Sequence, residues 1–162
     1  MNEITLYTQI ESPIGELLLF GGEHSLQGLY MDRRPLDSWK RADEPFADAR
    51  AQLGEYFAGQ RSEFDIELDL RGSTFQRAVW DALLEIPYGE TRSYGEIAKR
   101  IGRPDRARAV GSANGSNPVS IVVPCHRVIG ADGSLTGYGG GLERKRWLLE
   151  HEAGVAQLAL TT

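Results

Sequence analysis

The amino-acid sequence predicts an α/β protein of the α+β type, with a small sheet-plus-helix domain followed by a mainly helical domain. Two observations predict this order. Up to about residue 71 the apolar residues occur in short runs broken by turn residues, and beyond it they recur at helical spacing behind helix-start motifs. We therefore expect domains at residues 1–71 and 72–155, followed by a frayed tail at residues 156–162.

Three strands are expected at the start of the chain. Short apolar runs are separated by Ser12-Pro13-Ile14-Gly15 and by Gly21-Gly22, both of which are turn signals. Because the connections are this short, the strands should pair as an antiparallel meander. The expected strands are Ile4–Ile10, Glu16–Phe20 and Leu26–Met31.

The rest of the first domain is expected to add one helix and one strand. Residues 32–45 are polar and contain Pro35 and Pro45, which indicates a loop. Apolar residues then recur at helical spacing over Phe46–Ala58, which predicts a helix. In Asp65–Leu70 polar and apolar residues alternate strictly, which predicts a half-buried strand.

Helix-start motifs organise the second domain. Ser73-Thr74-Phe75-Gln76 and Ser93-Tyr94-Gly95-Glu96 are capping-box patterns, and each predicts the beginning of a helix. The second of these helices should end at Gly102, because glycine commonly follows the last helical residue. Pro104 suits the first turn of a third helix that reaches about Ala113, so the second and third helices form a helix-turn-helix candidate.

The expected third helix carries few long side chains. Between Ala107 and Gly115 most residues are small, and little except Arg108 and Val110 projects. A helix that reads the major groove needs several long polar side chains to reach base edges. Two interpretations stay open: the helix lies close against a nucleic-acid backbone or in a shallow groove, or its small residues permit tight helix packing.

Charge is distributed unevenly along the chain. The formal net charge is −5, but residues 1–71 hold 7 Lys and Arg against 14 Asp and Glu, whereas residues 72–162 hold 11 against 9. Six basic residues cluster within residues 92–108. A single basic cluster is usually a solvated helix face, so charge alone does not establish a nucleic-acid partner.

The composition excludes several classes of protein. The chain has neither a membrane-spanning apolar run nor a secretory signal pattern at its N-terminus. Its single cysteine excludes an internal disulfide and a cysteine-rich zinc site. A reducing, cytoplasmic setting suits this cysteine content best.

The only cysteine follows an apolar run near the end of the chain. Val119–Val123 predicts a buried strand that leads into Pro124 and Cys125, and a glycine-rich loop at residues 130–141 comes next. The last helix is expected at Leu142–Glu152, ending near Gly154. A reactive group presented at a strand end is typical of an active site.

Three neighbours favour a reactive Cys125, although a lone cysteine is more often a small buried hydrophobe. Pro124 ends the strand, His126 is a candidate base, and the positive charge of Arg127 favours a thiolate. In an extended chain adjacent side chains point to opposite faces, so His126 would act through a bridging water unless the backbone turns sharply. His126 would also need an orienting carboxylate, for which sequence spacing leaves Glu150 and Glu152.

The segment Pro124-Cys125-His126-Arg127-Val128 resembles the active-site signature of the O6-alkylguanine-DNA alkyltransferases, also called methylated-DNA–protein-cysteine methyltransferases. The resemblance covers residues 72–153 and is specific, whereas the N-terminal part is only generically similar. Further family-like segments occur in the right order: Thr74-Phe75-Gln76, Val79-Trp80, Ile86-Pro87-Tyr88-Gly89-Glu90-Thr91, Ser93-Tyr94, Arg108-Ala109-Val110-Gly111, Asn117-Pro118 and Gly137-Tyr138-Gly139.

The resemblance implies a ribonuclease-H-like N-terminal domain and a winged-helix-like C-terminal domain that binds alkylated DNA through the minor groove. It implies that a damaged guanine is flipped out of the duplex and that its O6-alkyl group moves irreversibly to Cys125. O4-alkylthymine is a second candidate substrate. We expect a monomer, with cooperative assembly on DNA as an alternative, and no cofactor. Some relatives hold zinc in the N-terminal domain, but His24 stands there without a cysteine, so no metal is expected.

The resemblance also implies a role for each matched residue. Cys125 would be the nucleophile, His126 its water-linked base and Glu152 the orienting carboxylate. Tyr94 would give a proton to the leaving guanine and help to rotate the DNA phosphate, and Arg108 would fill the gap left by the flipped base. The remaining implied residues are Asn117, in the turn before the active-site segment, and Gly95, Ser112, Gln76, Tyr138 and Gly139, at the DNA and the base.

Each role has a structural alternative, and three rival functions remain. Tyr94 could simply begin a helix, Arg108 could be a surface charge, and Asn117 could be an ordinary turn former. A non-enzymatic alkyltransferase-like protein would lack Cys125. A Cys-His hydrolase would need a base that reaches the thiol and an oxyanion hole. A plain DNA-binding regulator would need longer base-reading side chains on the third helix.

Overall fold

The structure, a computed structural model, describes residues 4–161, with side chains up to residue 154. The chain divides into two compact units, one that ends at Arg71 and one that begins at Gly72. Among the described residues, no helix is both long and apolar enough to cross a membrane.

The first unit contains a four-stranded sheet. β1 (Leu6–Ile10), β2 (Leu17–Gly21) and β3 (Leu26–Met31) form the antiparallel meander that the turn signals predict. A short strand, β4 (Lys40–Arg41), pairs in parallel with β1 and gives the order β3-β2-β1-β4. The prediction of an uninterrupted loop at residues 32–45 is wrong here, because both residues of β4 are exposed and polar and leave no apolar pattern.

One helix completes the first unit. α1 (Ala47–Phe57) follows a 3-10 turn at Glu44–Phe46, which confirms the predicted helix to within one residue at each end. A buried polar link joins it to β1, because the fully buried hydroxyl of Thr8 donates to Asp43 Oδ1 at 2.6 Å and accepts from Arg50 Nη2 at 3.2 Å. Among the described residues of this unit, the other buried side chains of the core are apolar or aromatic.

The strand predicted at Asp65–Leu70 is wrong, since this segment makes only one isolated bridge, between Leu26 and Leu68. Its apolar side chains are half-buried, as the alternation indicates. At the start of this segment the Gln52 amide binds the backbone of Asp65, accepting from its N–H at 2.8 Å and donating to its carbonyl at 2.9 Å.

The second unit is mainly helical, as predicted. Its helices are α2 (Thr74–Leu84), α3 (Tyr94–Arg100), α4 (Ala107–Gly115) and α5 (Leu142–Thr161), and the short strands β5 (Arg92–Ser93) and β6 (Val128–Ile129) pair in parallel.

Both capping boxes form, and they fix where α2 and α3 begin. Ser73 Oγ accepts from the Gln76 backbone N–H at 3.1 Å, and Gln76 Oε1 accepts from the Ser73 N–H at 2.9 Å. Ser93 and Glu96 make the same reciprocal pair at 3.1 and 3.0 Å. Gly102, with φ of 76°, then turns the chain from α3 towards α4, so the helix-turn-helix is confirmed.

The boundaries of two helices differ from the sequence prediction. Pro104 does not lie in the first turn of α4. It lies in a turn that the Arg106 N–H closes on the Arg103 carbonyl at 2.9 Å, where the fixed φ of proline suits the second turn residue. The prediction that the last helix ends near Gly154 is also wrong, because α5 runs to Thr161. One glycine costs a helix only about 1 kcal/mol, and helix-forming residues follow it.

The strand predicted at Val119–Val123 is wrong as well. These residues are buried, as expected, but they form tight turns in which the Val123 N–H donates to the Val119 carbonyl at 3.0 Å. Ile121 has a φ of 74°, a left-handed conformation that interrupts any extended run. Apolar composition alone does not distinguish this compact loop from a buried strand.

Candidate active site

Cys125 lies in a 3-10 turn at Cys125–Arg127, where the chain leaves the buried loop. It is the only free thiol, and only 4% of its surface is exposed. The turn is closed by a hydrogen bond from the Arg127 N–H to the Pro124 carbonyl at 3.0 Å. The sequence prediction that the Cys125 and His126 side chains point to opposite faces assumed an extended backbone. The backbone instead turns sharply at these residues.

Asn117 holds the loop that precedes this turn. Its Oδ1 accepts from the Val119 N–H at 3.0 Å, and its Nδ2 donates to the Val123 carbonyl at 2.8 Å. The side chain is buried. The Asn117 amide therefore makes backbone hydrogen bonds of the kind that a neighbouring strand would have made. It fixes the position of the backbone just before Cys125.

The His126 imidazole is fully buried and bound to a carboxylate from α5. Its Nε2 lies 2.7 Å from Glu152 Oε2, and Glu152 is 1% exposed. Glu150, the other candidate that sequence spacing left open, is exposed. Because a carboxylate can only accept, Nε2 carries the proton and Nδ1 is the basic nitrogen of the neutral ring. His126 Nδ1 is buried and has no hydrogen-bond partner among the described residues.

Arg127 does not supply positive charge to the thiol in the way the sequence indicates. Its Nε and Nη2 donate to the two oxygens of Glu152 at 2.7 and 3.0 Å, and its Nη1 donates to the Ile86 carbonyl at 2.8 Å. The guanidinium is therefore committed to Glu152. It holds the end of α2 and the carboxylate of α5 against the Cys125–Arg127 turn.

Lys145 is a buried cation whose charge opposes the rise in the pKa of the Cys125 thiol, and sequence reasoning missed it. The side chain is fully buried on α5, and its Nζ donates to the carbonyls of Val128, Thr136 and Gly137 at 2.6, 2.7 and 3.3 Å. Lys145 stands in a run of charged residues, which is typical of an exposed helix face. Its spacing from Leu148 and Glu152, which share one helix face, is the signal that could have found it.

Burial controls the protonation of the central pair. It raises the pKa of the Cys125 thiol, although a hydrogen bond with Asn117 and the charge of Lys145 oppose part of this effect. It lowers the pKa of His126 despite the hydrogen bond to Glu152. Both groups are therefore neutral at rest. Burial alone would raise the pKa of Glu152, but hydrogen bonds from His126 and Arg127 outweigh it and hold that pKa well below its ordinary range.

Tyr94 and Tyr138 contact the glycine-rich loop in different ways. The Tyr94 hydroxyl lies 2.9 Å from Thr136 Oγ1 and 3.2 Å from the Thr136 carbonyl. Burial, and secondarily the nearby Cys125, raise the pKa of Tyr138 well above its ordinary value. Gly139, the next predicted site residue, is exposed. Tyr138 is thus a neighbour of the thiol, whereas Tyr94 lies against the loop.

The residues predicted to contact DNA lie mostly at the surface of α3 and α4. Arg108 and Ser112 are exposed, and Arg108 makes no ion pair or hydrogen bond within the part of the chain that the structure describes. Gly95 is half-buried at the start of α3. Gln76 stands apart from the others, because its amide is used in the capping box and in a hydrogen bond to Ser116 Oγ at 3.1 Å.

Small residues let α4 pack closely on its neighbours while its outer face stays free. The Trp80 indole donates to the Ala113 carbonyl at 2.8 Å, and a Cβ added at Gly111 would lie 3.7 Å from the Tyr94 ring. On the same helix, the buried Asn114 donates through Nδ2 to the Cys125 carbonyl at 3.3 Å. The helix therefore connects the exposed Arg108 to the reactive turn.

Comparison with known proteins supplies the family. A model described as "6-O-methylguanine DNA methyltransferase, DNA binding domain" matches residues 74–154, and one for the ribonuclease-like domain of the same enzymes matches residues 5–70. The chain belongs to the 6-O-methylguanine DNA methyltransferase family. The two family domains confirm the predicted order of a ribonuclease-like part and a DNA-binding part.

Curated relatives and solved structures agree with this membership. A protein from Mycolicibacterium paratuberculosis named methylated-DNA–protein-cysteine methyltransferase is 58% identical over 159 residues, 96% of each chain. One from Methanosarcina acetivorans with the same name is 52% identical, covering 90% of this chain and 97% of its own. The Mycobacterium tuberculosis OGT solved in complex with DNA is 57% identical, with a TM-score of 0.89 over 97% of this chain and 99% of its own.

Proposed function

We propose that this protein repairs alkylated DNA by transferring the alkyl group of O6-alkylguanine to Cys125. Relatives that match nearly the whole chain are named methylated-DNA–protein-cysteine methyltransferases, and one similar protein was solved with DNA. One observation carries the assignment to these residues. A buried thiol is followed by a buried, neutral histidine that has a carboxylate on one ring nitrogen and, among the described residues, no partner on the other.

The first step is removal of the thiol proton. Burial raises the pKa of Cys125, so the resting thiol is protonated and a poor nucleophile. Although the backbone turns sharply here, His126 Nδ1 makes no hydrogen bond to the thiol or to any other group of the described residues, so it takes this proton through a bridging water. Glu152 then stabilises the imidazolium that forms, as a carboxylate does in other Cys-His and Ser-His systems. Lys145 stabilises the thiolate on the other side of the charge separation.

The second step is alkyl transfer. The thiolate sulfur forms a bond to the alkyl carbon while the carbon–O6 bond breaks, and the electron pair of that bond moves onto the guanine. Tyr94 gives the departing base a proton. The resulting thioether has no good leaving group, so each molecule acts once. The donor is the DNA itself, and the step requires no cofactor. A reducing compartment such as the cytoplasm keeps the thiol available.

Access to O6 requires that the base leave the duplex, because the target atom lies inside the stack. We propose that α4 enters the minor groove, where its small residues, including Ser112, permit close approach. The exposed Arg108 fills the gap in the stack. Tyr138 and Gly139 close over the extruded base, and Gly95 contacts the DNA backbone. Gln76 contacts the DNA backbone by exchanging its hydrogen bond to Ser116 Oγ for one to DNA. The protein acts as a monomer. Cooperative assembly is tested with duplexes of increasing length, and O4-alkylthymine repair with duplexes that contain that base.

The test is the intact mass of the protein after incubation with a duplex that contains O6-methylguanine. We expect one methyl addition on the unaltered chain and none on Cys125→Ala. A Cys125→Ala protein that still binds the duplex serves as the matched control. If the unaltered protein binds the duplex and gains no mass, the proposal is wrong, and a lesion-binding protein without repair activity becomes the better interpretation.

A further inference from the structure

Thr136 contacts the Tyr94 hydroxyl with two of its own oxygens. Tyr94 Oη lies 2.9 Å from Thr136 Oγ1 and 3.2 Å from the Thr136 carbonyl. Thr136 belongs to the glycine-rich loop at residues 130–141. Tyr94 opens α3, so this contact fixes the loop to the beginning of that helix.

The direction of the hydroxyl–hydroxyl hydrogen bond follows once Tyr94 donates to the Thr136 carbonyl. A phenol has one proton and accepts through its lone pairs, whereas a carbonyl can only accept. When Tyr94 donates to the Thr136 carbonyl, the 2.9 Å contact is therefore completed by the Thr136 hydroxyl donating to Tyr94 Oη. Thr136 thus presents a hydrogen-bond donor to the oxygen from which Tyr94 would release its proton.

Thr136 is held in place from the other side by Lys145. The buried Nζ donates to the Thr136 carbonyl at 2.7 Å and to the Val128 carbonyl at 2.6 Å. Because Val128 follows the Cys125–Arg127 turn directly, the lysine ties the loop to the reactive segment. The contact between Thr136 and Tyr94 is therefore fixed by a buried anchor, although Thr136 itself is exposed.

We propose that Thr136 is a positioning residue for Tyr94 and stabilises the oxygen of Tyr94 when that residue protonates the departing base. As the Tyr94 O–H bond breaks, its proton moves to the guanine and its electron pair stays on the phenolic oxygen. The Thr136 hydroxyl keeps its proton and donates a hydrogen bond to this anionic oxygen. Water later returns a proton to Tyr94. This inference rests on the proposed role of Tyr94 as the proton donor.

The inference predicts that the rate of methyl transfer depends on the hydroxyl of Thr136 and not on the shape of the side chain. Thr136→Val keeps the shape and removes the donor, and Thr136→Ser keeps the donor and removes the methyl group. The measurement is the single-turnover rate of methyl transfer from a saturating O6-methylguanine duplex, with the Kd for the duplex determined separately. Hydrogen bonds to charged oxygens are the stronger class, so we expect Thr136→Val to be slower by about 10-fold and Thr136→Ser to stay within about twofold of the unaltered protein.

A second comparison separates positioning from loop structure. In a Tyr94→Phe background the phenolic oxygen is absent, so adding Thr136→Val should cause no further loss of rate. Equal losses in both backgrounds, or a Thr136→Val rate equal to that of the unaltered protein, would overturn the inference. So would a Thr136→Ser rate as low as that of Thr136→Val. Failure of the proposed function looks different, because no methyl adduct would then form on the unaltered protein.

Discussion

Replacing Glu152 by Gln should strongly destabilise the second unit. Glu152 is 1% exposed and accepts three hydrogen bonds, from His126 Nε2 at 2.7 Å and from Arg127 Nε and Nη2 at 2.7 and 3.0 Å. A glutamine has one accepting oxygen, and its NH₂ would face donors. Removing one partner of a buried ion pair leaves the other charge unpaired, which costs about 3–5 kcal/mol. That is a large part of the roughly 5–15 kcal/mol by which natural proteins are stable.

The matched control for this change is Glu150→Gln. Glu150 lies on the same helix but is exposed, so its loss should change the free energy of unfolding by less than about 0.5 kcal/mol. The assay is equilibrium denaturation of the three proteins in guanidinium chloride, followed by far-UV circular dichroism and tryptophan fluorescence. If Glu152→Gln unfolds at the same denaturant concentration as Glu150→Gln, the buried network contributes nothing to stability and the reasoning fails.

The lowered pKa of Glu152 also predicts how the stability of the protein changes with pH. The pKa of Glu152 is lowered from its ordinary value of 4.5, so the folded state holds the carboxylate in its charged form more strongly than the unfolded state does. Its contribution to stability is therefore complete above pH 4.5 and is lost as the pH falls towards the lowered pKa. The unaltered protein should lose this contribution on acidification, whereas Glu152→Gln should show a shallower decline in the same range.

Three further predictions concern the chemistry. Lys145→Met should lower the rate at which Cys125 reacts with O6-benzylguanine at neutral pH, because the charge that favours the thiolate is lost; a rate equal to that of the unaltered protein would show that the lysine only anchors the loop. Arg108→Ala should reduce repair of duplex DNA yet leave the reaction with free O6-benzylguanine unchanged, and equal losses on both substrates would contradict its role in the base stack. The transfer rate should stay level as the pH falls through 6.5 and decline only below it, since burial lowers the pKa of His126, and a midpoint above 6.5 in a pH–rate profile would refute this.

Features that depend on neighbouring residues could be predicted from the sequence. A capping box joins residues only three positions apart, so Ser73 with Gln76 and Ser93 with Glu96 mark helix starts before any tertiary contact is known. The β1–β3 meander is similar, because short turns between apolar runs leave few ways to pair the strands. Within the candidate site, the sequence identifies Cys125, because it is the only cysteine of the chain.

Features that depend on distant side chains could not be predicted in this way. The segment before Cys125 has the composition of a strand, but the Asn117 amide binds the backbone at both of its ends and closes it into a loop. Gln52 captures Asp65 in the first unit by the same means. Both amides bind backbone groups that a sheet would otherwise use. The pattern of polar and apolar residues does not show which of the two sets of hydrogen bonds forms. Arg127 likewise has a distant partner, Glu152.

The two charges that shape the proposed chemistry come from one face of α5. Lys145 and Glu152 are separated by about two helical turns, so the helix presents a cation towards the thiol and an anion to the histidine. Burial makes the neutral Cys125 and His126 the resting state, and these two charges favour the opposite state, in which the proton has moved from sulfur to imidazole. Lys145 opposes the effect of burial on the pKa of Cys125, and Glu152 opposes its effect on the pKa of His126. In the proposed mechanism the helix therefore favours proton transfer from the thiol to the imidazole, and it lowers the cost of the thiolate without making it the resting form.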